Sequence, residues 1–183
     1  MAAFPKPYAD AVARLRVPSG FLLVAVFAWF SHPDPHSLVI GLPLSLAGLA
    51  LRAWAAGHLA KNQRLATGGP YAYTRNPLYL GTLAVAAGLA ISARSAGLAI
   101  FFAAVFLLIY LPVIQNEQQH LRRLFPDFEA YAAAVPMLWL RFTPFSPDGR
   151  GHFQGELYLR NQEYQAAAGY AAGMLFLLWK GLS

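Results

Sequence analysis

Residues 95–114 run without a single charged side chain, and as a helix they would span about 30 Å, the thickness of a bilayer's hydrocarbon core. A stretch apolar on every side must be buried in protein or in lipid. Comparable runs cover 37–59 and 77–92. The whole chain of 183 residues is 57% hydrophobic and only 12% charged, with a mean hydropathy of +0.42. That leaves too little polar surface to wrap several such helices, so an all-α integral membrane protein is predicted. No long polar linker interrupts residues 1–183, and one domain is the natural count. The absence of cysteine excludes disulfides, thiolate metal sites and a cysteine nucleophile. The net charge of +6 is dispersed between apolar segments, a pattern of topology signals and not of nucleic-acid binding.

Five spans are expected. The first, 17–30, starts near Leu15 with Arg14 and Arg16 snorkelling, and Phe27, Trp29 and Phe30 stand where a cleaved signal would need small residues. The others are 37–59, 77–92, 95–114 (continuing as an amphipathic helix through Leu124) and 164–179. Small residues at Ala84 and Gly88, and at Gly169 and Gly173, have helix-packing spacing. With a cytoplasmic N-terminus, Lys6, Arg14, Arg16, Lys61, Arg64, Arg75, Arg122, Arg123, Arg141, Arg150 and Arg160 fall on one side. Only Arg94 and Lys180 fall on the other. The asymmetry predicts an N-in, C-out topology, with 68–81 and the end of the fourth helix both on the cytoplasmic face.

Between the second and third spans lies Gly-Gly-Pro-Tyr-Ala-Tyr-Thr-Arg-Asn-Pro-Leu-Tyr-Leu-Gly, residues 68–81. Pro70 and Pro77 prevent one continuous helix, and Asn76 followed by Pro77 is a favoured helix start. A helix N-terminus therefore points into a polar, aromatic run. Its amides suit a carboxylate or phosphate, with Arg75 beside them and Tyr71, Tyr73 and Tyr79 offering aromatic faces. A re-entrant turn, with its arginine and tyrosines at lipid-headgroup level, fits the same pattern.

A second block, Tyr110-Leu-Pro-Val-Ile-Gln-Asn-Glu-Gln-Gln-His-Leu, ends the fourth helix. Pro112 is expected to kink it, and Tyr110, Ile114, Glu117 and Leu121 share a face. Glu117 is the one acid of this helix. It reads either as a functional carboxylate or as a headgroup-level charge paired with Arg122 or His120.

Together, Gly69-Pro70-Tyr71, Arg75-Asn76-Pro77-Leu78-Tyr79-Leu80-Gly81 and the Glu117 block resemble the isoprenylcysteine carboxyl methyltransferase and phospholipid methyltransferase superfamily. The resemblance covers about residues 38–145, leaving 146–183 as a C-terminal cytoplasmic segment and last helix. It implies a membrane enzyme with S-adenosylmethionine bound at the cytoplasmic ends of helices three and four. Gly69, Tyr71, Arg75, Asn76, Pro77, Leu78, Tyr79, Glu117, His120 and Leu121 are the implied cofactor residues, with Arg75 and Glu117 closest to the chemistry. Phe125-Pro126-Asp127-Phe128 and Tyr131, followed by Val135-Pro136, stand in for the end of the family's second block. Gln118 replaces a second acid, no arginine precedes Glu117 as in prenylcysteine enzymes, and Asn76 replaces a common histidine.

The implied reaction is methyl transfer to a lipid or lipidated acceptor entering from the bilayer, most like carboxyl O-methylation. Phospholipid N-methylation is the alternative. An NADPH-dependent reductase is a further one, since membrane sterol reductases carry a related stretch, although they have an acid where this chain has Thr82. A non-catalytic lipid-binding protein is a third. Arg52, within the second span, either snorkels or pairs with an acid or an anionic headgroup. Tyr110, Arg160, Asn161 and Glu163 are candidates for acceptor contacts. The five scattered histidines give no metal-ligand spacing.

Overall fold

The computed structural model describes residues 22–145 and 151–182. Lys6, Arg14, Arg16, Arg150 and the start of the first predicted helix lie outside the described residues. Within them the chain is helical, with no strand. Helix α1 covers described residues 22–30. It is followed by α2 (Pro35–Ala56), a 3-10 turn (Gly69–Ala72) and α3 (Pro77–Ser92). Then come α4 (Ala96–Val105), a π-turn (Phe106–Tyr110), α5 (Leu111–Leu124), α6 (Phe128–Ala134), α7 (Gly155–Arg160) and α8 (Tyr164–Leu182). Two helices are long and apolar enough to cross a membrane, Pro35–Ala56 and the continuous Ala96–Leu124. At 16 residues α3 is apolar but shorter.

Local chemistry explains the boundaries. α2 begins two residues earlier than its apolar run because Asp34 caps it. The Asp34 carboxylate accepts the Ser37 N–H at 2.7 Å, the Ser37 hydroxyl accepts the Asp34 N–H at 3.0 Å, and Pro35 occupies the first helical position. Ser95 caps α4 by accepting the Leu98 N–H. Pro112 acts through a π-turn: it offers no N–H to the carbonyl four residues back, and Leu111 bonds the Phe106 carbonyl five residues back. The helix then runs on to Leu124.

The chain forms two compact units. The first takes the described residues of 1–45, 86–120 and 173–183; the second takes those of 46–85 and 121–172. In the first, Phe27 packs on Phe102 and Phe176, and Leu98, Ile114 and Leu177 are fully buried. Its α2 and α3 segments meet through small residues. A Cβ on Gly41 would lie 2.3 Å from the Gly88 carbonyl, and one on Gly88 would lie 2.6 Å from the Ser45 nitrogen. Backbones this close leave room for hydrogen only. Arg94 bonds Asp34 at 2.6 Å, and Lys180 donates to the Ala28 carbonyl at 2.8 Å. The two cations that sequence counting assigns to one side thus both bind around the α1–α2 connection. A Cβ on Gly169 or Gly173 would touch nothing within 4 Å, so that small-residue pair does not pack on the described chain.

In the second unit, Phe128, Tyr131 and Val135 form a buried cluster against Leu65, Leu121, Phe125 and Phe145. α2 ends at Ala56, and a Cβ on the next residue, Gly57, would meet the Phe153 ring. The Asn161 amide then donates to the helix-end carbonyls of Ala56 and Leu59.

Candidate functional site

The run 68–81 is the most heavily braced part of the second unit. Gly69 has φ +56°, a conformation that favours glycine, and a Cβ there would lie 2.5 Å from the His58 ring. That imidazole sits over the turn, with Nδ1 2.8 Å from the Trp54 carbonyl and Nε2 2.6 Å from the Gly151 carbonyl. From the other direction, the segment after α6 is laced to the run through main-chain bonds. Arg75 N–H donates to Pro136, Arg141 N–H to Tyr73, and Phe145 N–H to Ala72, at 2.9–3.0 Å. The Tyr131 hydroxyl adds a buried bond of 2.7 Å to the Tyr71 carbonyl. A loop held this way keeps a fixed shape without being a helix or a strand.

Asn76 occupies the helix-start position predicted for it, since its carbonyl accepts the Leu80 N–H at 3.0 Å. Its side chain has a different job: the amide nitrogen donates to the Met137 carbonyl at 2.9 Å, alongside the Thr74 hydroxyl at 3.3 Å. Pro77 opens α3, whose first-turn amides have no acceptor within the helix. Arg75 is half-buried just before them. Burial is the main cause that lowers its pKa from the ordinary guanidinium value, and Arg122 pushes the same way against Tyr131 and Glu129. Burial also raises the Tyr131 phenol, so the hydroxyl stays a donor. Arg122 pairs with Glu129, and both charges act on Arg75.

The structure brings Gly69, Tyr71, Arg75, Asn76, Pro77, Leu78, Tyr79 and Leu121 into the second unit, together with Arg52, Arg160, Asn161 and Glu163. Tyr110, Glu117 and His120 belong to the first unit. Tyr71 is buried, so its ring packs inside the turn, whereas Tyr73 and Tyr79 are half-exposed. Glu117 and His120 are exposed on α5, and Tyr110 stacks on Phe106 with centroids 6.0 Å apart.

Arg52 pairs with an acid, one of the two readings its position allows. The acid is Glu163, bonded through both carboxylate oxygens, and the guanidinium also reaches the Thr82 hydroxyl and the Leu78 carbonyl. Sequence reasoning passed over Thr82 as a partner, yet it lies four residues after Leu78 on one face of α3. Asn161 and Glu163 thus have partners in the protein. Among the described residues no three His, Cys, Asp or Glu side chains converge as a metal site.

Comparison with known proteins follows the same outline. Residues 38–127 match the family model described as PEMT, phospholipid methyltransferase. The chain is 34% identical over 136 residues to the cobalt-zinc-cadmium resistance protein CzcN of Cupriavidus metallidurans, covering 70% of this chain and 62% of that one. It is 32% identical over 126 residues to the nickel-cobalt-cadmium resistance protein NccN of Alcaligenes xylosoxydans xylosoxydans, covering 65% of this chain and 58% of that one. The chain therefore spans about three-fifths of the length of these relatives. No solved structure matches it. The matched segment runs from α2 through the braced turn, α3 and α5 to Asp127. Residues 38–127 are thus similar to the phospholipid methyltransferase family, a membrane-bound family of methyltransferases within the isoprenylcysteine and phospholipid methyltransferase superfamily.

Proposed function

We propose that this chain is an integral membrane methyltransferase that uses S-adenosylmethionine and acts on a lipid-like acceptor at the cytoplasmic face. The family match over the braced turn and the start of α3 carries this reading. The residues present suit the cofactor: a half-buried arginine beside a helix start is a site for its carboxylate. The cofactor supplies an activated methyl group on a sulfonium. Arg75 and the first turn at Asn76, Pro77, Leu78 and Tyr79 hold the carboxylate end, and Gly69 and Tyr71 shape the turn behind them. Glu117, with His120 near it in sequence, is assigned the ammonium or ribose. In-line displacement at a methyl group needs alignment more than proton transfer.

Carboxyl O-methylation is the favoured chemistry, because a carboxylate acceptor attacks as the anion already present at neutral pH. Phospholipid N-methylation would require Glu117 or His120 to remove a proton from the amine. The five-span, N-in topology belongs to the same proposal.

Calorimetric titration of the detergent-purified protein with S-adenosylhomocysteine, and with NADPH in parallel, tests the cofactor. Binding of the first alone supports the reading; NADPH alone would indicate a reductase, and neither a lipid-binding protein. Labelled methyl donor with prenylcysteine or phosphatidylethanolamine vesicles tests the acceptor, because only a methyl ester is released by mild base. Glu117→Gln should weaken S-adenosylhomocysteine by about 1–3 kcal/mol, and an unchanged affinity removes Glu117 from the site. A second reading, a part in resistance to nickel, cobalt, zinc or cadmium, rests on the names of CzcN and NccN. Growth of a deletion strain on each metal tests it.

A further inference from the structure

The Arg52 guanidinium lies within a helix long enough to cross a membrane, and all three of its nitrogens are engaged inside the second unit. Nε and Nη2 grip the two oxygens of Glu163, the latter at 3.0 Å, while Nη1 donates to the Leu78 carbonyl at 3.4 Å and to the Thr82 hydroxyl. Thr82 in turn donates to the Leu78 carbonyl at 2.9 Å. The arginine's stem crosses Gly81, where a Cβ would lie 2.6 Å from its Cγ. Leu78, Gly81 and Thr82 are one face of the first turn and a half of α3, the turn that begins at Asn76 and Pro77.

A buried ion pair adds little stability over an apolar pair of the same size. What it supplies is direction. A planar fork with five donors accepts only one arrangement of its partners, so it fixes both the rotation of α3 about its axis and its slide along α2. Gly48, where a Cβ would lie 2.7 Å from the Gly81 carbonyl, lets the two helices approach closely enough for the fork to reach. We propose that Arg52 and Glu163 are a positioning pair: Glu163 orients Arg52, and Arg52 clamps the first turn of α3 so that its amides and Arg75 present one fixed geometry to an anionic ligand. The assignment rests on the methyltransferase reading, and it makes the link before α8 a contributor to cofactor affinity from outside the family-matched segment.

The test compares S-adenosylhomocysteine affinity with thermal stability in the full-length, detergent-purified chain. Thr82→Val keeps shape and the ion pair but removes the hydroxyl contact between Arg52 and α3. Glu163→Gln keeps shape and loses the charge. Ser37→Ala is the control, because its hydroxyl holds the far end of the same helix through a 3.0 Å bond to the Ser92 carbonyl. Weakening of about tenfold in Thr82→Val and Glu163→Gln, the worth of one hydrogen bond to a charged group, with Ser37→Ala binding as the wild type, is the expected result. If the wild type binds and the three variants bind alike, or if affinity follows melting temperature in all three, the positioning role is overturned and the methyltransferase reading stands. If the wild type itself does not bind, the methyltransferase reading fails and the positioning role fails with it.

Discussion

The two halves of the α2–α3 contact are built from opposite materials. Around Gly41, Ser45, Gly88 and Ser92 the helices touch backbone to backbone, and the fit is one of absent side chains. Around Arg52, Leu78 and Thr82 the same two helices are joined by a guanidinium, a hydroxyl and a carbonyl, with Glu163 behind them. Small residues give close approach and dispersion, which tolerate sliding, whereas directional polar bonds in a dry setting do not. The difference lies where function would require it. The polar half adjoins the turn that begins the proposed cofactor site, and the apolar half adjoins the α1–α2 connection, where Asp34 meets Arg94.

Removing one partner of the charged half should have the largest effect. Arg52→Met strands the Glu163 carboxylate and should destabilise by about 3–5 kcal/mol, read as a fall in melting temperature. The double variant Arg52→Met with Glu163→Met should recover much of that loss. A double variant no better than the single would mean that the charges contribute strength and not register, and the contrast between the halves would collapse. Gly41→Ala attacks the apolar half: its methyl would sit 2.3 Å from the Gly88 carbonyl, and overpacking of this kind costs about 1–3 kcal/mol. Full tolerance of that methyl would show the seam to be looser than its geometry. Tyr131→Phe removes the bond to the Tyr71 carbonyl behind the polar half and should cost about 0.5–1.5 kcal/mol, with faster amide exchange in residues 71–75 as the local readout.

The smallest effect belongs to Asp34, which caps α2 at the apolar half. The Ser37 N–H, and then Arg94, hold its carboxyl below the ordinary carboxylate value. Its folded pKa is therefore lower than its unfolded one, so its contribution is present above the ordinary carboxylate range and fades as pH falls through the lowered value. Asp34→Asn should flatten that acid limb slightly in a melting-temperature series. An identical acid limb would show the cap to be unimportant.

Much of the fold was legible from local pattern. The bounds of α3 follow from Pro77 and the apolar run to Ser92, and Ser95 begins α4, because prolines, caps and hydrophobic runs act within a few residues. The family outline was legible as well, since residue types at fixed spacing over 68–81 carry it into the matched segment. Partners far apart in sequence were not. Arg52 and Glu163 are separated by 111 positions, and nothing local distinguishes an arginine that snorkels from one that is paired. Asn76 reads as a cap from its neighbours alone, yet its amide is used by Met137, 61 residues on. Tyr131 lies beyond the matched segment 38–127, and its role as a strut under Tyr71 depends on where α6 folds back.

By itself, then, the sequence determined helicity, apolar segmentation, the helix start at Pro77 and the match of residues 38–127 to the phospholipid methyltransferase family. These rest on short-range sterics, on the cost of exposing apolar surface, and on residue types at fixed spacing. The tertiary structure alone decided which charges pair, which glycines are contacts and which face open space, and which carbonyls hold the turn. Each of these is settled by a distance between residues remote in the chain, and a hydrogen bond or a steric contact changes its worth within a fraction of an ångström.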